Sequence, residues 1–148
     1  FTAPNIDPGC EVVLKYINNF VSDHTNAYLF ESLGYLKYYS LMALADVMVG
    51  NSSSGIWESP SFKIPVVNVG NRQQGREQAR NVLNTDFDPR EIHRAIKNAI
   101  EPEFRQMLAN LVNPYGDGLA VKRIVKTLKT ISIDHRLLKK RFQNNNNS

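Results

Sequence analysis

Val47-Met48-Val49-Gly50-Asn51-Ser52-Ser53-Ser54-Gly55-Ile56-Trp57-Glu58 reads as a short strand, a polar turn and the start of a helix near Ser53. The apolar run Val47–Val49 lies between Asp46 and Gly50, as suits a buried parallel strand. Small polar residues then turn the chain. A helix that starts there leaves backbone N–H groups without intrahelical acceptors. Those donors and the helix dipole favour an anion. The serine hydroxyls add donors, and Gly55 admits a ligand close to the backbone. No Gly-Lys-Ser/Thr follows, so this is not a Walker loop. The same residues also fit a helix cap in an ordinary polar loop, and spacing alone leaves both readings open.

Outward from this loop the chain alternates strand and helix. Phe1–Ala3 reads as the end of a strand, followed by turn chemistry at Asn5, Asp7, Pro8 and Gly9. Val12, Val13, Tyr16, Ile17 and Phe20 share one helical face. Ala27–Phe30 is a short strand candidate, Leu36 to Ala45 a helix, and Ile64–Val69 a second buried strand. This alternation predicts a parallel sheet with right-handed crossovers. The second half reads as helical. Asp88, Pro89 and Glu91 form a helix start, with Ile92, Ala95, Ile96, Ala99 and Ile100 as its buried stripe. Pro102 opens a short helix bearing Phe104, Met107, Leu108 and Leu111. After the loop 114–118, Val121, Ile124, Val125 and Leu128 form an apolar face with Lys122, Arg123, Lys126 and Lys129 off it.

Three charged residues belong with the phosphate loop. Glu58 follows it within the helix. A carboxylate there repels an anion unless it points elsewhere, and the two hydroxyls of a ribose are one target. An acid in a first helical turn is the plainer account. Arg72 and Arg76 follow the Ile64–Val69 strand and so sit at the same sheet edge. Arginine there can pair bidentately with phosphate, or simply be solvated.

Composition sets the outer bounds. The 148 residues form one domain by size, and 42% hydrophobic residues are enough for a core. No apolar run is long enough to span a bilayer, and no signal segment is visible. Cys10 stands alone, which fits a reducing, cytoplasmic setting. His24, His93 and His135 lack companions at ligand spacing, so no metal is expected. The net charge of +4 is concentrated late: from Lys122 on there are eight Lys/Arg against Asp134 alone. Without interleaved aromatics, the basic end reads as a solvated helix face and not a nucleic-acid platform. Leu137, Leu138 and Phe142 read as packing residues, exposed as an apolar patch if their partner domain is absent. Residues 144–148 are low-complexity and read as disordered.

Taken together, these residues resemble a known family. Ser32-Leu33-Gly34 with Tyr38, then Gly50-Asn51-Ser52-Ser53-Ser54-Gly55-Ile56, Glu58, Pro60, Pro65, Asn68, Gly70, Arg72-Gln73 and Gly75-Arg76 resemble the hydrolysing UDP-N-acetylglucosamine 2-epimerases. Asn5-Ile6-Asp7 and Pro114-Tyr115-Gly116-Asp117-Gly118 are similar to further motifs of that family. The likeness runs from Asn5 to Ile131. Non-hydrolysing relatives carry an Asp-Ser-Gly-Gly type loop instead, which places this chain nearer the hydrolysing branch.

The resemblance implies a GT-B-like protein of two Rossmann-like domains, with this α/β chain supplying most of the C-terminal one. The expected organisation is a UDP-binding Rossmann-like domain at 1–131, truncated at its N-terminus, a basic helix at 132–142 and a disordered tail at 143–148. The implied reaction eliminates UDP from UDP-N-acetylglucosamine to give 2-acetamidoglucal, then adds water to give N-acetylmannosamine, a sialic-acid precursor. Carried over by motif, Ser52 and Ser53 bind the diphosphate, with Gly55 in the same loop. Glu58 holds the ribose and Arg72 contacts the nucleotide. Leu33 meets uracil through its backbone, Tyr38 flanks the base, and Asn5 lines the pocket. The family's catalytic carboxylates and histidine are expected upstream of Phe1, so the chain reads as an inactive piece with no catalytic residue of its own. No cofactor is implied, nor a nucleic-acid or membrane partner, and the whole protein is expected to be a homo-oligomer. A GT-B glycosyltransferase domain and a non-enzymatic nucleotide-binding module remain as alternatives.

Overall fold

The computed structural model describes residues 1–139. Its elements in chain order are α1 (Cys10–Asp23), α2 (Gly34–Leu44), β1 (Met48–Gly50), α3 (Ser54–Trp57), α4 (Ser59–Phe62), β2 (Val66–Val69), β3 (Val82–Thr85), α5 (Pro89–Ile100), α6 (Pro102–Met107), α7 (Ala120–Thr130) and α8 (His135–Leu138). The sheet has the order β1-β2-β3, and both pairings are parallel. Met48 lies opposite Val66, and Val66 opposite Val82. The fold class is therefore α/β with a parallel sheet, as the alternation predicted.

Strand alternation distributes β2 between two helical layers. Val67 is fully buried in a cluster with Ala95 and Ala99, against which Val47, Val69, Leu83, Ile92 and Ile96 pack. Val66 points to the other face, toward Gly55 of α3. There Ile56 is also fully buried, which contributes ~1.5–3 kcal/mol. Helix α5 starts as its sequence indicates: Asp88 Oδ1 accepts from Arg90 N at 2.8 Å, and Pro89 occupies the first turn. At the end of β2, Gly70 has φ 78, and a Cβ there would stand 2.5 Å from Cζ of the Phe87 ring. No L side chain fits this position without displacing that ring.

A polar clamp joins the two short helices to the sheet. Asn81 and Ser59 are both fully buried. Asn81 Nδ2 donates to Ser59 Oγ at 2.8 Å and to Ile64 O at 2.7 Å. Ser59 Oγ in turn donates to Gly55 O at 2.6 Å. The clamp thus ties α3 and α4 to the entries of β2 and β3. Lys63 makes the turn between α4 and β2 in the left-handed region, at φ 55.

Three sequence expectations need correction. Ala27–Phe30 is not a strand of the sheet; only Phe30 pairs, in a single parallel bridge with Thr2 outside the sheet. The isolated bridge is also all that remains of the Phe1–Ala3 strand. Conversely, β3 lies in a stretch that reads as helical, because Val82-Leu83-Asn84-Thr85 has only two apolar residues. The apolar stripes of α1 and α7 are largely uncovered: Tyr16 is 73% exposed and Leu128 69%. On α1, Phe1 meets Phe20 edge-on at 5.7 Å. In the expected 132–142 helix the described helical part is the single turn of α8; Leu137 and Leu138 are exposed. Phe142 and the tail lie outside the described residues.

Asn81→Leu leaves the Ile64 carbonyl without its donor and should cost ~1–3 kcal/mol of stability. Urea unfolding of wild type and variant measures this, and an unchanged midpoint would remove the clamp from the account of the fold.

Candidate functional site

The carboxyl end of β1 opens into a cavity of about 670 Å³. Ligands of open α/β sheets sit beyond the carboxyl ends of the strands. The walls come from the Phe1–Asn5 segment, the turn and first residues of α2, the loop after β1, and Glu58. Asn5, Leu33, Tyr38, Ser52, Glu58 and Arg72 all line it. Of the eight residues singled out from sequence, these six are brought together. Ser53 and Gly55 are not part of the lining.

The loop is built by local hydrogen bonds. Gly55 N donates to Ser52 O at 3.1 Å, and Ser54 N to Ser52 Oγ at 3.3 Å. Ser53 O accepts from Ile56 N at 2.9 Å and Trp57 N at 3.0 Å, so Ser53 forms the N-cap of α3. Gly55 is buried, and a Cβ on it would lie 3.0 Å from Val66 Cγ1. Its small size lets α3 approach the sheet. Gln73, 2% exposed, donates from Nε2 to Asn51 O at 2.6 Å and braces the turn from the loop after β2.

Glu58 is held by two hydroxyl donors. Tyr39 Oη donates to Oε1 at 3.1 Å, and Ser54 Oγ donates to Oε2. Ser54 Oγ itself accepts from Tyr38 Oη at 2.9 Å. The Glu58 carboxylate raises the Tyr39 pKa above its usual value, first through the hydrogen bond and then through its charge. Tyr39 therefore stays a protonated donor at neutral pH. Sequence reading assigned Tyr39 no role in the site and did not link Ser54, one of the loop serines, to Glu58. The available signal was the four-residue step from Ser54 to Glu58, which puts both on one side of a helical turn.

The two arginines part company. Arg72 lines the cavity and pairs with Asp7 at 3.6 Å, an exposed pair worth ~0–1 kcal/mol. Arg76 instead stacks over Trp57, 4.7 Å from the ring centroid, and lines a separate cavity with Asn68, Gln74 and Asn84. The expectation that both face one crevice is corrected accordingly. Among the described residues no group of His, Cys, Asp and Glu is arranged to hold a metal, and no helix is long and apolar enough to cross a membrane.

A parallel sheet with a polar loop and a cavity beyond the carboxyl end of one strand is the layout in which open α/β domains hold their ligands. Comparison with known proteins narrows this. A family model described as UDP-N-acetylglucosamine 2-epimerase matches residues 1–129. The chain is 39% identical over 136 residues to the GDP/UDP-N,N'-diacetylbacillosamine 2-epimerase (hydrolyzing) of Campylobacter jejuni, covering 90% of this chain and 35% of that protein. It is 36% identical over 137 residues to the UDP-N,N'-diacetylbacillosamine 2-epimerase (hydrolyzing) of Legionella pneumophila, covering 93% and 35%. The crystal structure of UDP-GlcNAc 2-epimerase from Neisseria meningitidis bound to UDP-GlcNAc superimposes with a TM-score of 0.66 at 27% identity, covering 87% of this chain and 36% of that one. The chain belongs to the UDP-N-acetylglucosamine 2-epimerase family. It spans about a third of the length of these relatives.

Gln73→Leu removes the donor to the Asn51 carbonyl. Amide exchange over residues 51–54 should then rise by about tenfold, the equivalent of ~1.4 kcal/mol, by hydrogen–deuterium exchange. Unchanged exchange would mean that the loop is held by its own bonds alone.

Proposed function

We propose that this chain is the nucleotide-holding part of a hydrolysing 2-epimerase that acts on UDP-linked 2-acetamido sugars. The observation that carries the reading is the convergence of Asn5, Leu33, Tyr38, Ser52, Glu58 and Arg72 on one cavity at the carboxyl end of β1. These residues lie far apart in sequence, and each suits a different part of a nucleoside diphosphate.

In this reading the Ser52 and Ser53 side of the loop takes the diphosphate, through hydroxyls and the start of α3. Gly55 sets the loop's height by packing on Val66. Glu58 accepts from the ribose hydroxyls, and Arg72 contacts the nucleotide. The Leu33 backbone meets the uracil, Tyr38 flanks it, and Asn5 closes the same wall. The chemistry is loss of UDP by elimination, giving the 2-acetamidoglucal, followed by addition of water. With UDP-N-acetylglucosamine the product is N-acetylmannosamine, which feeds sialic-acid-type sugars. Glu58 is the only acid lining the cavity among the described residues, and both its oxygens are engaged. The acid–base groups of the reaction are therefore assigned to parts of the protein outside this chain. A second substrate, UDP-N,N'-diacetylbacillosamine, is favoured by the names of the Campylobacter and Legionella relatives. Product analysis by NMR with both nucleotide sugars, using the full-length protein, decides between them.

The test of the site is Glu58. Each hydrogen bond to a charged acceptor contributes ~1.5–3 kcal/mol, so Glu58→Ala should weaken UDP binding by about tenfold to a few hundredfold. Glu58→Gln should fall between it and wild type. Inorganic pyrophosphate has no ribose and should bind all three proteins alike in isothermal titration. Equal losses for both ligands would show that Glu58 supports the loop and reads no sugar.

A further inference from the structure

The Glu58 carboxylate does not stand free at the cavity wall. Tyr39 comes from α2, and Ser54 from the first turn of α3. Each gives a hydroxyl proton to a different carboxylate oxygen. Tyr38, next to Tyr39 on α2, gives its own proton to Ser54 Oγ at 2.9 Å. Ser54 is thereby fixed as a donor toward Glu58, because its oxygen is already accepting. All four side chains line the same cavity.

An ionised carboxylate has about four acceptor sites, two on each oxygen. With one taken on each oxygen by the protein, one remains on each. That leaves a matched pair of acceptors, which is the complement of two neighbouring hydroxyls. A carboxylate without these partners could rotate about its terminal bond, whose torsional preferences are broad. It could also swing to pair with Arg72, the cation on the same cavity wall.

We infer that Tyr39 and Ser54 are positioning residues that hold Glu58 with one open acceptor site on each oxygen, so that it selects a vicinal diol. The inference rests on the assignment of Glu58 to the ribose. It adds that the preference for a ribose over a deoxyribose depends on two side chains that need not touch the nucleotide.

The test uses the full-length protein and calorimetric titration with UDP, 2'-deoxy-UDP and pyrophosphate. Tyr39→Phe keeps the ring and removes only the hydroxyl; Ser54→Ala and Ser54→Thr remove and retain the second donor. Tyr39→Phe and Ser54→Ala should each weaken UDP by about tenfold and shrink the preference for UDP over 2'-deoxy-UDP, with pyrophosphate unchanged. Ser54→Thr should recover most of the loss. In a Glu58→Ala background the added effect of either substitution should vanish, since nothing is left to orient. If Glu58→Ala discriminates UDP from pyrophosphate but Tyr39→Phe and Ser54→Ala do not, the positioning role is overturned while the ribose assignment stands. If Glu58→Ala itself fails to discriminate, the ribose assignment falls first. Equal loss of UDP and pyrophosphate in Ser54→Ala, with an unaltered melting temperature, would make Ser54 a phosphate contact and also overturn the inference.

Discussion

Asn81 is buried between the two short helices and the sheet, and the site depends on what it holds. Its amide nitrogen ties the carbonyl of Ile64, at the entry to β2, to the hydroxyl of Ser59 in α4. Ser59 passes the connection to Gly55 in α3. Helices of four residues have little stability of their own, because nucleation is costly. Here they are fastened to a strand by groups that cannot reach water. Breaking one bond leaves the others with buried, unmatched atoms, so the arrangement holds as a unit. The closeness of Gly55 to Val66 follows from it, and so does the position of Glu58 one residue before the clamp.

Much of this was readable in the sequence where the local signal was strong. The capping pattern at Asp88 and Pro89 gave α5, and the apolar run after Asp46 gave β1. Elements that depend on distant contacts were harder. The strand β3 holds Asn84, whose place in the sheet is set by Asn68 directly opposite and by its bond from Asn68 Nδ2 at 2.8 Å. A pairing of two asparagines across strands leaves no periodic hydrophobic trace. Ala27–Phe30 failed in the opposite way: its composition suits a strand, but only Phe30 finds a neighbour, in Thr2.

The site shows the same division. Motif positions located Glu58, Ser52 and Arg72, and these do meet at one cavity. They did not reveal Tyr39, because a second tyrosine beside Tyr38 on a helix carries no mark of its direction. Nor did they separate Arg72 from Arg76. Four residues apart in a loop, the two arginines go to different cavities, one toward Asp7 and the other over Trp57. Loop geometry, which spacing cannot encode, decides that outcome.

The fastening of α3 and α4 has a bearing on how such a domain can change over generations. The clamp is made by Ser59, Asn81 and backbone carbonyls, none of them from Asn51, Ser52 or Ser54, which line the cavity. The loop's side chains can therefore vary while the platform beneath them stays put. Alteration of ligand preference is open to single substitutions in the loop, whereas residues 59 and 81 are constrained as a pair: one must both give and take a proton, and the other must give two. The architecture divides the chain into a part free to drift in chemistry and a part that keeps its dimensions.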